Sequence, residues 1–278
     1  MKLRLLIYTL LIGTTLLVCA VATAHAQIEE GTPRLDIQGF YAPGNLTRDF
    51  TFPSGGADRT SSMVHKTEGW AIKGSFLLSP KLAIYYRGEF SYSRYAEQKY
   101  FSFLENGTAK EYRETATHDD ANANYNELSG TLFLPALRHG LIAGVARVEQ
   151  NAIYRGVNYE SFTDDRYTGL VVGLNGGRCV KTVCFEYAGR AYPRMAKSRH
   201  TFGRNEFGSW DNPDEHLNAY GFELRASAAY HLIGNFALIG GGQFREMFTP
   251  RAYTGGNSYR ERQALKQPTL FIGLGWTK

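Results

Sequence analysis

Carboxylates gather at three points in this chain: His118-Asp119-Asp120, Asp164-Asp165 and Asp214-Glu215-His216. A carboxylate near an imidazole can do acid–base work, and paired carboxylates can bridge a cation to a phosphate. Adjacent residues of an extended chain point to opposite faces, so only one of Asp119 and Asp120 can enter a given cleft. Charge patterning alone reads all three clusters as a solvated rim. Each is followed by a tyrosine (Tyr125, Tyr167, Tyr220) suited to an aromatic girdle at a lipid interface. Basic residues form a second set: Arg194, Lys197 and Arg199 in one connector, Arg251, Arg260, Arg262 and Lys266 in another. Such a patch takes polyanions, either sulfated glycans or lipopolysaccharide phosphates. Cys179 and Cys184, in Cys-Val-Lys-Thr-Val-Cys, have the spacing of a disulfide across a hairpin turn. There is no Gly-x-Ser-x-Gly elbow and no His-Glu-x-x-His helix. No metal or cofactor is implied.

The elements that must hold these residues are strands. Residues 82–93 put Leu82, Ile84, Tyr86, Phe90 and Tyr92 on one face and Arg87, Glu89, Ser91 and Ser93 on the other. Comparable alternation marks Arg34–Tyr41, Gly69–Leu78, Tyr125–Leu134, Leu141–Gln150, Val183–Tyr192, Ala219–Leu232, Phe236–Phe244 and Thr269–Trp276. Tyr167–Leu174 is apolar on both faces. Short connectors (79–81, 135–140, 175–182, 233–235) alternate with long ones (42–68, 94–124, 151–166, 193–218, 246–268). Within the second long connector, residues 95–117 read either as an extended hairpin above the membrane, turning at Asn106-Gly107, or as a further pair of spans; their many charged residues favour the hairpin.

The first 26 residues read as an export signal. Lys2 and Arg4 precede an apolar run from Leu5 to Ala22, and Ala24-His25-Ala26 offers a cleavage site. The expected organisation is a signal peptide over 1–26 and one barrel domain over 27–278. No later run is long or apolar enough for a membrane helix. Mean hydropathy is −0.32 and aromatic content 14%, which suits strands needing only one apolar residue in two. The net charge of +5 over the whole chain is mild and gives no sign of nucleic-acid binding.

These features predict an all-β fold: a single closed antiparallel transmembrane β-barrel of ten strands, in a bacterial outer membrane, with short periplasmic turns and long external loops. A lipid-facing sheet cannot leave edge amides unpaired, so the last strand must close on the first. The polar faces then turn inward Arg87, Glu89, Glu127, Arg147, Glu149, Glu186, Arg190, Glu223, Arg225 and Arg245. Their signs balance, which predicts a salt-bridged, plugged lumen.

This pattern resembles the omptins, a family of outer-membrane proteases, and equally the ten-stranded neisserial adhesin OpcA. Omptins carry Asp-x-Asp on one wall and Asp-x-His on the facing wall to position a water. Asp214-Glu215-His216 matches the second motif, while Asp119-Asp120 is adjacent where the first is spaced. The resemblance makes Asp119, Asp120, Asp214 and His216 candidates for a surface protease. A surface binding or structural role carried by the external loops, and a narrow substrate-specific pore, are the other readings. Lipid and lipopolysaccharide are the expected partners of a monomeric barrel, with a polyanionic or host-surface ligand in addition.

Overall fold

An antiparallel strand crosses lipid by turning every second side chain outward and leaving the others to the interior. The computed structural model describes residues 35–54, 57–93, 96–105, 108–117, 120–134, 139–156, 159–205, 208–254 and 259–278. The expected leader over 1–26 lies outside them. The strands are β1 (Leu35–Tyr41), β2 (Gly44–Ser54), β3 (Ala57–Ser79), β4 (Leu82–Ser93), β5 (Ala96–Glu105), β6 (Thr108–Thr117) and β7 (Ala121–Leu134). There follow β8 (His139–Gly156), β9 (Tyr159–Val180), β10 (Val183–Asn205), β11 (Gly208–His231), β12 (Phe236–Thr254) and β13 (Tyr259–Thr277).

β1 and β2 form one stave. Both lie between β3 and β13, and the register passes Ala42-Pro43 without a slip, from Tyr41↔Ile272 to Gly44↔Thr269. Pro43 has no N–H to give, but its carbonyl accepts from Leu270 at 3.0 Å and Ala42 donates to Gly69 at 2.8 Å. Counted this way, ten staves close antiparallel in the order β1/β2, β3, β4, β7, β8, β9, β10, β11, β12, β13. At the closing seam Gly273 lies so near β1 that a Cβ there would sit 1.9 Å from the Gly39 carbonyl oxygen, so the seam admits no side chain.

The remaining pair, β5 and β6, is the hairpin expected over 95–117. Glu105 pairs with Thr108; Asn106-Gly107 itself lies outside the described residues. β5 replaces β4 beside β3 from His65 to Ser61, and β6 pairs with β5.

The five long connectors are not loops along most of their length. β2 pairs with β3 as far as Ser54↔Ala57, β9 with β10 as far as Tyr159↔Asn205, and β10 with β11 as far as Asn205↔Gly208. Above the bilayer both faces of a strand meet polar surroundings. Hydrophobic alternation fades there while backbone pairing continues, so periodicity ends before the strand does. At the other end the staves join through tight turns such as Lys181-Thr182, where Lys181 takes φ 56°. The first and last described residues lie on this side: Leu35 and Lys278 exchange backbone hydrogen bonds of 3.0 and 2.9 Å. The disulfide Cys179–Cys184 forms beside the Lys181-Thr182 turn, with Cα atoms 3.9 Å apart.

The outward faces carry the apolar band: Ile72, Phe76, Ile84, Leu128, Leu170, Leu224 and Ile272 are all exposed. One strand is turned the other way from the sequence reading. On β8, Ile142, Ala146 and Val148 are buried inside while Leu141, Val145 and Arg147 face out. Arg147 and Glu149 are therefore not lumen residues; they pair with each other on the outer wall, Arg147 being 52% exposed. Both faces of β8 are apolar in its lower half, and its charges stand above the lipid band, so alternation gave the wrong sense.

Candidate functional site

Glu223 of β11 lies at the centre of the barrel interior and is fully buried. Its carboxylate takes hydrogen bonds from Arg87 of β4 (Nη1–Oε1 2.7 Å, with Nη2 on Oε2), from Arg245 of β12 (Nε and Nη2 on Oε2, 3.0 and 2.7 Å) and from Arg190 of β10 (Nη1–Oε1 3.3 Å). Arg245 continues to Glu89 at 2.9 Å, Arg87 reaches Glu89 at 3.0 Å, and Gln243 also donates to Glu89 at 3.0 Å. Arg190 holds Glu127 of β7 at 3.0 Å, and Tyr125 and Ser129 donate to the same carboxylate at 2.7 and 2.8 Å. These side chains come from opposite walls and meet in the middle.

Aromatic rings complete the layer. Arg245 and Arg87 lie over the Tyr125 ring at 3.7 and 4.5 Å from its centroid, and Tyr192 donates to the Tyr125 hydroxyl at 3.0 Å. Arg225 packs on Phe271 and Phe40 at 4.3 and 5.2 Å. Cations facing aromatic planes this closely gain from the ring quadrupole where water is excluded. Tyr125 was expected at the lipid interface; it is buried inside, as is Tyr167. Tyr220 alone of the three faces out, stacked on Phe248 at 5.9 Å. Tyr125 stands two residues from Glu127 on β7 and so shares its inward face, which is the sequence signal of its position.

Of the ten charges assigned to the interior, Arg87, Glu89, Glu127, Arg190, Glu223, Arg225 and Arg245 meet in this layer. Glu186 sits lower, near the turn end, where it reaches Lys73 of β3 at 3.2 Å and is half-exposed. Arg147 and Glu149 are outside, as described.

A second cluster lies higher, above the apolar band, and here the basic residues differ from expectation. Lys197 and Arg199, assigned to an external polyanion patch, are buried inside the wall. Asp165 of β9 binds them both, Arg199 at 2.8 Å and Lys197 at 3.4 Å, together with Arg48 of β2 at 3.0 Å. Because β10 stays extended above the membrane, every second residue of its basic stretch turns inward. Burial by itself would push the Asp165 carboxyl up; Arg199, Lys197 and Arg48 outweigh it and hold the group well below the usual carboxylate range. A small gap lined in part by Gln150 and Gln263 adjoins this cluster.

Outside, Asp164 pairs with Arg166 at 2.6 Å, Arg166 being 55% exposed, and Arg194 donates to Asn218 at 3.2 Å. Arg147, Arg166 and Arg194 thus mark the outer wall of three neighbouring staves just above Val145 and Leu170. Lys266 reaches Asp49 on the outer wall at 2.5 Å. Asp120 immediately precedes β7. Asp119 lies outside the described residues, as do the side chains of Asp214, His216, Arg251, Arg260 and Arg262. The backbone register sets His216 beside Ser198 and Arg262 beside Thr51. Among the described residues no His, Cys, Asp and Glu side chains gather as a metal site.

A closed ten-stave barrel with an apolar outer band and a polar interior defines a bacterial outer-membrane β-barrel protein. Among solved structures it is similar to the outer membrane protease OmpT from Escherichia coli, at TM-score 0.62 and 15% identity, covering 92% of this chain and 100% of that one. The translocator domain of the autotransporter NalP from Neisseria meningitidis aligns at TM-score 0.41 and 10% identity over 97% of each chain. OprG from Pseudomonas aeruginosa aligns at 0.32 and 8%, over 90% and 97%. At these identities the likeness to OmpT is one of fold alone. No family model matches the chain, and no curated protein does.

Proposed function

We propose that this protein is a closed, non-conducting barrel whose role is binding or structural at the cell surface, carried by the wall above the bilayer. The observation behind this reading is the Glu223 layer: Arg87, Arg190 and Arg245 converge on one buried carboxylate from three staves. Parting such a layer to make a channel would strand buried charges, each at a cost of several kcal/mol. The test is conductance of the purified protein in a planar bilayer. The reading expects no single-channel steps; discrete steps would replace it with a narrow pore.

The same reading assigns Arg147, Arg166, Arg194 and Lys266 to lipopolysaccharide phosphates, since they stand on the outer wall just above the lipid band. Arg251, Arg260 and Arg262 remain candidates for a polyanionic ligand on β12 and β13. Saturable, salt-sensitive heparin binding that is lost on neutralising Arg260 and Arg262 would support that ligand class. A surface protease is the second reading, favoured by Asp214-Glu215-His216 and by the fold shared with OmpT. Peptide cleavage abolished in both Asp214→Ala and His216→Ala would establish it.

A further inference from the structure

In the sheet as described, β6 pairs with β5 alone. Every stave of the barrel has two neighbours, but this strand has one edge without a strand partner among the described residues, and its partner β5 lies beside Ser61–His65 of β3, above the level at which β7 begins opposite Ser93. An open edge is a template for another strand, and proteins commonly guard it with charge. β6 is charged, in an order that carries information. Around Tyr112 the sequence reads Lys110-Glu111-Tyr112-Arg113-Glu114. Laid antiparallel against itself about Tyr112, the strand sets Lys110 opposite Glu114 and Glu111 opposite Arg113, twice over. No like pair arises within the five residues. A parallel, in-register copy would instead oppose every charge to its own kind, which is destabilising.

We propose that β6 is a homotypic docking edge, pairing antiparallel with β6 of a second copy of this chain. Symmetry then decides where that copy sits. Two barrels in one membrane are related by an axis along the membrane normal, so their descending strands run in the same sense along it. Barrel strands tilt by only about 35–45° from that normal, and antiparallel edges cannot form between such neighbours. A copy in a facing membrane is turned over, and its β6 runs the opposite way. The contact therefore joins two apposed membranes through main-chain hydrogen bonds along the edge, with the charges of Lys110, Glu111, Arg113 and Glu114 fixing register. This deepens the surface role proposed above and rests on it; the protein stays a monomer within its own membrane.

The experiment uses the full-length mature protein in two differently labelled populations of neutral phosphatidylcholine vesicles, scored by co-clustering at low salt. Wild type should cluster with itself. Lys110→Glu/Arg113→Glu, and separately Glu111→Lys/Glu114→Lys, place like charges at all four contacts, and each should cluster at least about tenfold less. Mixing the two variants restores opposite charges at each position and should restore clustering. Self-clustering of either variant at the wild-type level, or a mixture of the two that stays dispersed, overturns the proposal. Heat-modifiable gel migration verifies that each variant is a folded barrel. Conductance decides the closed-barrel reading separately, so failure of one leaves the other standing.

Discussion

Replacing Glu223 by Gln is the sharpest perturbation of the interior. The amide keeps the shape of the carboxylate but loses its charge, and one terminal atom becomes a donor. If Nε2 takes the place of Oε2, it meets Arg245 Nη2 at 2.7 Å and Arg245 Nε at 3.0 Å, donor against donor. In the opposite orientation it meets Arg87 Nη1 at 2.7 Å and Arg190 Nη1 at 3.3 Å. Neither rotamer is satisfied. The layer would also keep Arg87, Arg190, Arg225 and Arg245 with only Glu89 and Glu127 to balance them. One ion pair at close range is worth roughly 4 kcal/mol at an effective dielectric constant of 20, before desolvation. Breaking a buried pair from one side costs about 3–5 kcal/mol net, and we expect that loss in Glu223→Gln. Reversible urea unfolding in lipid vesicles, followed by tryptophan fluorescence and heat-modifiable migration, measures it. The joint change Arg87→Met/Glu223→Leu/Arg245→Met removes the charges together and should be less damaging than the single one. A loss below about 1 kcal/mol for Glu223→Gln would mean that water already screens these groups, and the closed-lumen reasoning would fail with it.

Four further outcomes are expected. Asp165 has a folded pKa below its unfolded value, so its contribution is complete above the unfolded carboxylate pKa of about 3.9 and is lost as pH falls through the lower folded one. Hydrogen exchange of the β9–β10 hairpin should therefore change little from pH 8 to about pH 5 and accelerate under stronger acid, whereas Asp165→Asn should raise it at neutral pH and remove the acid step. Ile272→Arg puts a charge on the lipid face and should cost roughly 2–4 kcal/mol near the midplane by the same vesicle assay. Gly273→Val, which fills the space against Gly39 at the seam, should prevent heat-modifiable migration altogether. Reducing Cys179–Cys184 removes a very small loop and should lower unfolding stability by no more than about 2 kcal/mol, read by urea unfolding with and without reductant.

How far the sequence could be read depended on which solvent each face met. Where one face met lipid, alternation was decisive: Ile84, Tyr86 and Phe90 lie outside and Arg87 and Glu89 inside, as β4 reads on the page. Where lipid ended, the same rule lost its contrast but not its geometry. Lys197, Ser198, Arg199 and His200 looked like a basic loop because all four are polar, yet the strand continues through them. Lys197 and Arg199 turn in to Asp165 in consequence. Asp164-Asp165 shows the same thing from the other side: one looked like half of a rim pair, but the two carboxylates serve opposite faces, Arg166 holding the first and Arg199 the second. Arg147 on β8 was misplaced for the converse reason, since an outward charge is affordable only above the lipid and the sequence does not mark that height. Asp165, Lys197 and Arg199 thus differ from expectation in the face they take, because the strands run on through the stretches that read as connectors. Strand pairing carries the alternation on above the bilayer, and the face each residue takes there divides the inner cluster around Asp165 from the outer arginines of β8, β9 and β10.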